Sequence, residues 1–409
     1  MIVRPMLRVA RFPRGVSALL IGICIVSASF AGEAAEPPPV TFADTPENRQ
    51  LVEQAVENFR RIDTRHSRFA EINGIRMHYL EWGDDNGIPL IWSHGFSSTA
   101  YELVQVAPAL AEAGYHVFSI TYRGHGQTQV EDYDFSLYTI ADDIAALMDH
   151  LELPCAVIGG LSLGGGVATV FYAGYPERVI AIVLEDGGSV WPQIYAERFA
   201  EKMREMPAEA SEPAPPMPTR YESAFDGAAT VIPMYMYGAP RTLDVDMATM
   251  FYSFLRQTAE GEWVYHIDAE KLIGSPELLM DPAAGRLLPL LERSWRSLLP
   301  EVIYRNLDLP VLLIDPTGDD GLDDTDVEEN EKLADQHPEW IHHVLYPETP
   351  HIAHPNRPEW FVRDMKKLLG WIEAAGSDGC LDPSAAARIQ IDPISDGAGP
   401  VIDKLCEKE

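Results

Sequence analysis

Residues 155–170, CAVIGGLSLGGGVATV, decide how the rest of the chain is read. A short apolar run with the character of a buried strand stops at Gly159-Gly160, and Leu161-Ser162-Leu163-Gly164 leads into a helix-like stretch. Placing a serine hydroxyl at the tip of a strand-to-helix turn forces its backbone into a strained conformation, in which side chains two positions before and after it would collide. Glycines at 160 and 164 remove them. The helix that follows would aim its first amides and the positive end of its dipole at the place where an oxyanion forms. A bare Gly-x-Ser-x-Gly pentapeptide recurs by chance in unrelated chains, but the strand before it and the helix after it are what a nucleophile elbow requires.

Outward from the elbow, strand and helix signals alternate. Residues 46–62 read as an amphipathic helix after a Pro-rich linker at 36–40. Residues 69–72 and 75–82 read as a hairpin joined by Asn73-Gly74, a dipeptide that favours a tight turn. Short apolar strands are expected at 89–93 and 117–122 with a helix at 100–113 between them, then a helix at 141–151 and a strand at 179–184. The rhythm stops between about 191 and 300 and resumes with a strand at 310–315, a helix at 327–336, a strand at 341–346 and a closing helix at 358–375. Such alternation implies an α/β fold with a parallel sheet covered on both faces. The interrupted stretch holds Pro207, Pro213, Pro215, Pro216 and Pro218, then Met234, Tyr235, Met236, Tyr237, Met250, Phe251, Tyr252 and Phe254. These Met and aromatic residues suit either ordinary core or the apolar wall of a lid.

Arg4, Arg8, Arg11 and Arg14 precede an apolar run at 16–30, with small residues following, which is the pattern of a secretory signal peptide and is short for a membrane span. The expected segments are therefore a signal peptide at 1–31, a linker and helix at 32–66, core at 67–190, a lid insertion at 191–300, a second core part at 301–375 and a tail at 376–409. The expected destination is the periplasm or the exterior. Cys155, in the strand before the elbow, reads as a small buried hydrophobe, and Cys380 and Cys406, flanking the tail, are expected to pair in an oxidising compartment. The net charge is −32, and cleavage after Ala31 removes four arginines and no acids, giving −32 − 4 = −36. A field of that sign repels nucleic acid and anionic membrane surfaces, so the expected partner is a small molecule, with no stable membrane anchor.

A serine hydroxyl needs a neighbouring base, itself held by an acid. His351 stands in the loop after the last strand, in Tyr346-Pro347-Glu348-Thr349-Pro350-His351, and acids follow the preceding strand in Asp315-Pro316-Thr317-Gly318-Asp319-Asp320. The order serine, acid, histidine is that of one particular architecture. Trp92-Ser93-His94-Gly95-Phe96, Tyr122-Arg123-Gly124-His125-Gly126 and the segment HIAHPNRP at 351–358 occur with the elbow in consistent order. Through these motifs the chain resembles the α/β-hydrolase superfamily, of the esterase and lipase-like kind, over roughly 68–190 and 309–375.

The resemblance implies Ser162 as nucleophile, His351 as general base, and the backbone amides of Phe96 and Leu163 as oxyanion hole; it implies that His94 braces its loop. For the acid, counting from the strand end favours Asp319, with Asp320 and Asp315 open, and Glu185 and Asp186 after the preceding strand also open because some members of the family draw the acid from there. A serine at the elbow, where related epoxide hydrolases and haloalkane dehalogenases carry aspartate, points to carboxylic ester cleavage, with lactone, amide and cofactor-free perhydrolase chemistry open on the same residues. A non-catalytic binding protein of this fold would be marked by a broken triad, which the sequence does not display. Setting Gly321 at the sixth position of a calcium loop puts Pro316 first and Val327 twelfth, so the acidic loop fails as a calcium site. With no dinucleotide fingerprint or zinc motif present, no cofactor and no metal are expected.

Overall fold

The computed structural model describes residues 42–130, 136–189, 220–235, 243–267, 300–318 and 325–376. Eight strands form one sheet: β1 (Ser67–Ile72), β2 (Ile75–Trp82), β3 (Ile88–Ser93), β4 (Tyr115–Ile120), β5 (Ala156–Leu161), β6 (Val179–Glu185) and, after three short strands elsewhere, β10 (Val311–Thr317) and β11 (Ile341–Pro347). Their order is β1-β2-β4-β3-β5-β6-β10-β11. The β1–β2 hairpin turns at Asn73-Gly74, both at positive φ, and β2 runs antiparallel to β4. From β4 onward every pairing is parallel. The sheet is thus mostly parallel, as the alternation implied.

Strands β4, β5 and β6 are buried at every position, and mostly apolar, because both faces are covered. Ile91, Ile158, Leu184 and Leu313 pack on one side with helices α3 (Leu137–His150) and α4 (Leu163–Gly174). Their neighbours Leu90, Val157, Val183 and Leu312 pack on the other with α2 (Ala107–Ala113) and the C-terminal helix (Pro358–Ala374). The helix expected at 100–113 is broken into a 3-10 turn at Ala100–Leu103 and α2, because Pro108 lacks the amide that a continuous helix would use. Ser136 caps α3, its hydroxyl accepting from the Thr139 amide, so that helix begins four residues earlier than the pattern suggested.

Within the interrupted stretch, β7 (Arg220–Tyr221), β8 (Leu255–Gln257) and β9 (Trp263–Tyr265) form a small antiparallel sheet beside α5 (Ala224–Tyr235) and α6 (Val245–Tyr252). Met250, Phe251, Tyr252 and Phe254 are buried in the main core; the side chains at 234–237 lie outside the described set. The N-terminal helix α1 (Pro46–His66) lies against this unit. Asn58 donates to Asp246 Oδ1 at 2.8 Å and to Thr249 Oγ1 at 3.0 Å, and Phe59 meets Tyr252 edge-on while stacking on Tyr101.

Cys155 corrects an expectation. It is held in a disulfide and is not a free thiol. Cys24, Cys380 and Cys406 lie outside the described residues, as does the expected pairing of Cys380 with Cys406, and so does the signal peptide. Among the described residues no helix is long and apolar enough to cross a membrane.

Candidate active site

Ser162 follows β5 directly, with φ 55° and ψ −114°, a conformation that L-residues adopt at a cost. The turn exists because its flanks are bare. A Cβ on Gly160 would sit 2.6 Å from the Ser93 carbonyl oxygen, and one on Gly164 would overlap that same oxygen, so any side chain there would push β3 away from the elbow. The Ser162 amide donates to the Glu185 carbonyl at 2.8 Å, which ties the elbow to the end of β6. The next chain segment crosses over it: a Cβ on Gly187 would lie 2.7 Å from the Ser162 Cα.

Parallel pairing of β5, β6, β10 and β11 brings the C-terminal ends of these strands to one rim. Ser162 follows β5, Asp186 follows β6 and His351 lies four residues past β11. Asp186 takes positive φ (46°), and its carboxylate oxygen Oδ2 accepts a hydrogen bond from His351 Nδ1. The structure thus brings the carboxylate of Asp186, just past the end of β6, to His351. Asp319 and Asp320 lie outside the described residues. Asp315, weighed beside them, is committed elsewhere: it is buried, accepts from both Asn330 Nδ2 at 2.9 Å and His343 Nε2 at 2.7 Å, and braces β10 to its neighbours.

Leu163 is the first residue of α4, and Phe96 lies in the loop after β3, whose carbonyls contact the elbow glycines. Both expected oxyanion residues thus sit at the rim with Ser162. His94 is a brace, as the resemblance implied. Its Nε2 accepts from the Tyr122 amide at 3.2 Å, which places the proton on Nδ1, and Nδ1–H donates to the Gly95 carbonyl at 2.6 Å. Burial first, and the neighbouring His125 second, hold its pKa well below the usual imidazole range. In the next turn, Arg123 forks onto the Asp143 carboxylate at 2.8 and 2.7 Å, and burial pushes the His125 pKa down to about 4.

Three contributors escaped the sequence reading. His266, just past β9, accepts the Gly126 amide on Nδ1 at 2.8 Å and donates from Nε2 to the Ser97 carbonyl at 3.1 Å, so the inserted unit is pinned to the loop after β3. Glu102 is fully buried and accepts the Gly95 amide at 3.0 Å and the Trp92 indole at 3.1 Å. His354 is fully buried against Glu185. No spacing in the sequence marks these three, because their partners come from distant elements. Among the described residues no cluster of three or more His, Cys, Asp or Glu side chains is arranged to hold a metal.

Comparison with known proteins agrees with this geometry. The alpha/beta hydrolase fold family model matches residues 88–263. The chain is 38% identical over 109 residues to a soluble epoxide hydrolase of Corynebacterium sp., covering 27% of this chain and 36% of that one. It is 34% identical over 113 residues to a non-heme chloroperoxidase of Streptomyces lividans, covering 27% and 41%. The chain therefore spans less than half the length of either curated relative. Among solved structures, E-2-(acetamidomethylene)succinate hydrolase superposes with a TM-score of 0.55 at 18% identity, covering 74% of this chain and 98% of that one, a likeness of fold. Sheet order, the strained serine at the β5–α4 turn and the matching family model together show that this chain has the α/β-hydrolase fold.

Proposed function

We propose that the chain is a serine hydrolase acting on a carboxylic ester, with Ser162 as nucleophile, His351 as general base and Asp186, in place of Asp319, as the acid. The observation that carries this reading is the Asp186–His351 pair on the rim where the strained Ser162 stands. A carboxylate on Nδ1–H fixes the tautomer whose Nε2 lone pair can take the serine proton, and it stabilises the imidazolium that follows. Ser162 Oγ would add to the ester carbonyl, with the amides of Phe96 and Leu163 holding the oxyanion. Collapse of the tetrahedral adduct breaks the ester C–O bond, and His351 hands its proton to the departing alcohol. Water, deprotonated by His351, then adds to the acyl-enzyme, and the acid leaves as Ser162 recovers its proton.

Serine at the elbow disfavours the chemistry named in the epoxide hydrolase relative, since an epoxide is opened in that branch by an elbow aspartate. Lactonase, amidase and perhydrolase activities use the same groups and are outcomes of a substrate panel. The basic and apolar leader supports export, which the N-terminal mass of the secreted protein tests.

The deciding experiment is fluorophosphonate labelling of wild type and Ser162→Ala, with turnover of short p-nitrophenyl esters. Labelling confined to wild type, with a nitrophenol burst, supports the reading; folded wild type that neither labels nor turns over any ester rejects it in favour of a binding role.

A further inference from the structure

Behind the rim lies a buried chain of charge that the reaction does not consume. Glu185, the last residue of β6, accepts the Ala353 amide at 2.7 Å and the His354 amide at 2.9 Å on Oε1, and His354 Nδ1 at 2.8 Å on Oε2. His354 Nε2 donates to the Glu102 carbonyl at 2.9 Å. The Glu102 carboxylate in turn receives the Gly95 amide, next to Phe96. Glu185, His354 and Glu102 are at most 1% exposed.

The donors and acceptors fix the charge. Both ring nitrogens of His354 face groups that only accept, a carboxylate and a backbone carbonyl, so both carry protons and the ring is an imidazolium. Burial alone would push this imidazole toward neutrality, but the fields of Glu185 and, behind it, Glu102 outweigh burial and raise its pKa. The titratable groups facing the ring are Glu185 at the end of β6 and Glu102 in the turn after β3; Trp92 and Phe361 close its other sides. A buried ion pair is weak support for stability but strong support for one geometry, since breaking it strands a charge.

We propose that Glu185, His354 and Glu102 form a fixed-charge positioning unit that sets the His351 loop and the oxyanion loop at one separation. Its logic is connectivity. Glu185 adjoins Asp186 in the chain, His354 lies three residues past His351, and Glu102 holds the amide adjoining Phe96. One buried cation therefore links the segments carrying acid, base and oxyanion donor, without touching substrate.

The inference rests on the serine-hydrolase reading for its kinetic arm only. The first test is the ring nitrogen spectrum of His354 in the whole protein labelled with 15N-histidine, assigned through His354→Gln. We expect both nitrogens to stay protonated well above the ordinary histidine value of about 6.5, with titration returning toward that value in Glu185→Gln. The second test is p-nitrophenyl ester turnover. Glu185→Gln should lower kcat roughly 10- to 100-fold with KM little changed, as expected for lost orientation. It should also add a new decline of kcat as pH rises through the range where the variant's His354 loses its proton. A neutral His354 in wild type at pH 7, or a Glu185→Gln enzyme with wild-type kcat and pH profile, overturns the proposal. If Glu185→Gln does not fold, the wild-type titration still decides. A wild type that fails to react with fluorophosphonate sinks the hydrolase reading and leaves the nitrogen titration standing.

Discussion

At the scale of single residues, the site separates into what chemistry marks in a sequence and what only proximity reveals. The elbow is legible because its glycines answer a steric demand within five residues: a Cβ at 164 has nowhere to go but into the Ser93 carbonyl. His351 is legible because it stands just beyond the last strand. The acid is less so, since Glu185 and Asp186 stand at the end of β6 while Asp315, Asp319 and Asp320 stand in and after β10, and spacing alone offers all of them. The folded arrangement puts the Asp186 carboxylate on the ring, a contact that spacing does not reveal. Asp186→Asn should therefore lower kcat on the order of 10⁴-fold, the usual result of losing the tautomer-fixing carboxylate. Asp319→Asn should leave it nearly unchanged, and steady-state kinetics of the two variants separate the assignments. Gly164→Ala should cost most of the soluble, active protein, because the new methyl group meets fixed backbone that cannot yield; yield and labelling of the variant check this.

At the scale of elements, strand and helix identities follow from runs of apolar residues, and most boundaries fall within a few residues of expectation. The inserted unit defeats this reading. Its strands are two or three residues long, too short for alternation to register, and its aromatic stripe reads equally as core or as substrate wall. What fixes it in place is α1, a helix more than 180 residues away in sequence from its partners Asp246 and Thr249. Removing the Asn58 amide leaves Thr249 short of a buried contact, and truncating Phe59 removes an aromatic that bridges Tyr101 and Tyr252. The double variant Asn58→Ala/Phe59→Ala should lose about 3–5 kcal/mol of stability by urea unfolding. Hydrogen exchange should rise first in α6 and spare β5.

At the scale of the whole molecule, the balance of charge is set by burial. Burial holds His78 and His125 at about 4, and His94 and His266 well below the usual range. Between about pH 6.5 and 4 the unfolded chain takes up protons that these buried rings refuse, so stability falls as pH falls, by up to ~1.4 kcal/mol per unit for each ring. His354 has the opposite sign: its contribution is complete below the unfolded value and is lost as pH rises through its raised folded value. Urea midpoints measured from pH 4 to 10 should therefore drop on both sides, more steeply on the acid side. The net charge of −32 adds self-repulsion at neutral pH, and salt should raise the melting temperature there. The clasp between α1 and the inserted unit has a last consequence, for encounters with aggregated substrate. A cap that swings open at a lipid–water boundary gives an enzyme whose rate leaps when monomers become micelles. Here the described part of the inserted unit is bolted to the N-terminal helix and pinned through His266 to the loop after β3. If the proposed ester hydrolysis holds, turnover of a graded ester should rise smoothly and saturate across the critical micelle concentration, with no leap at that boundary.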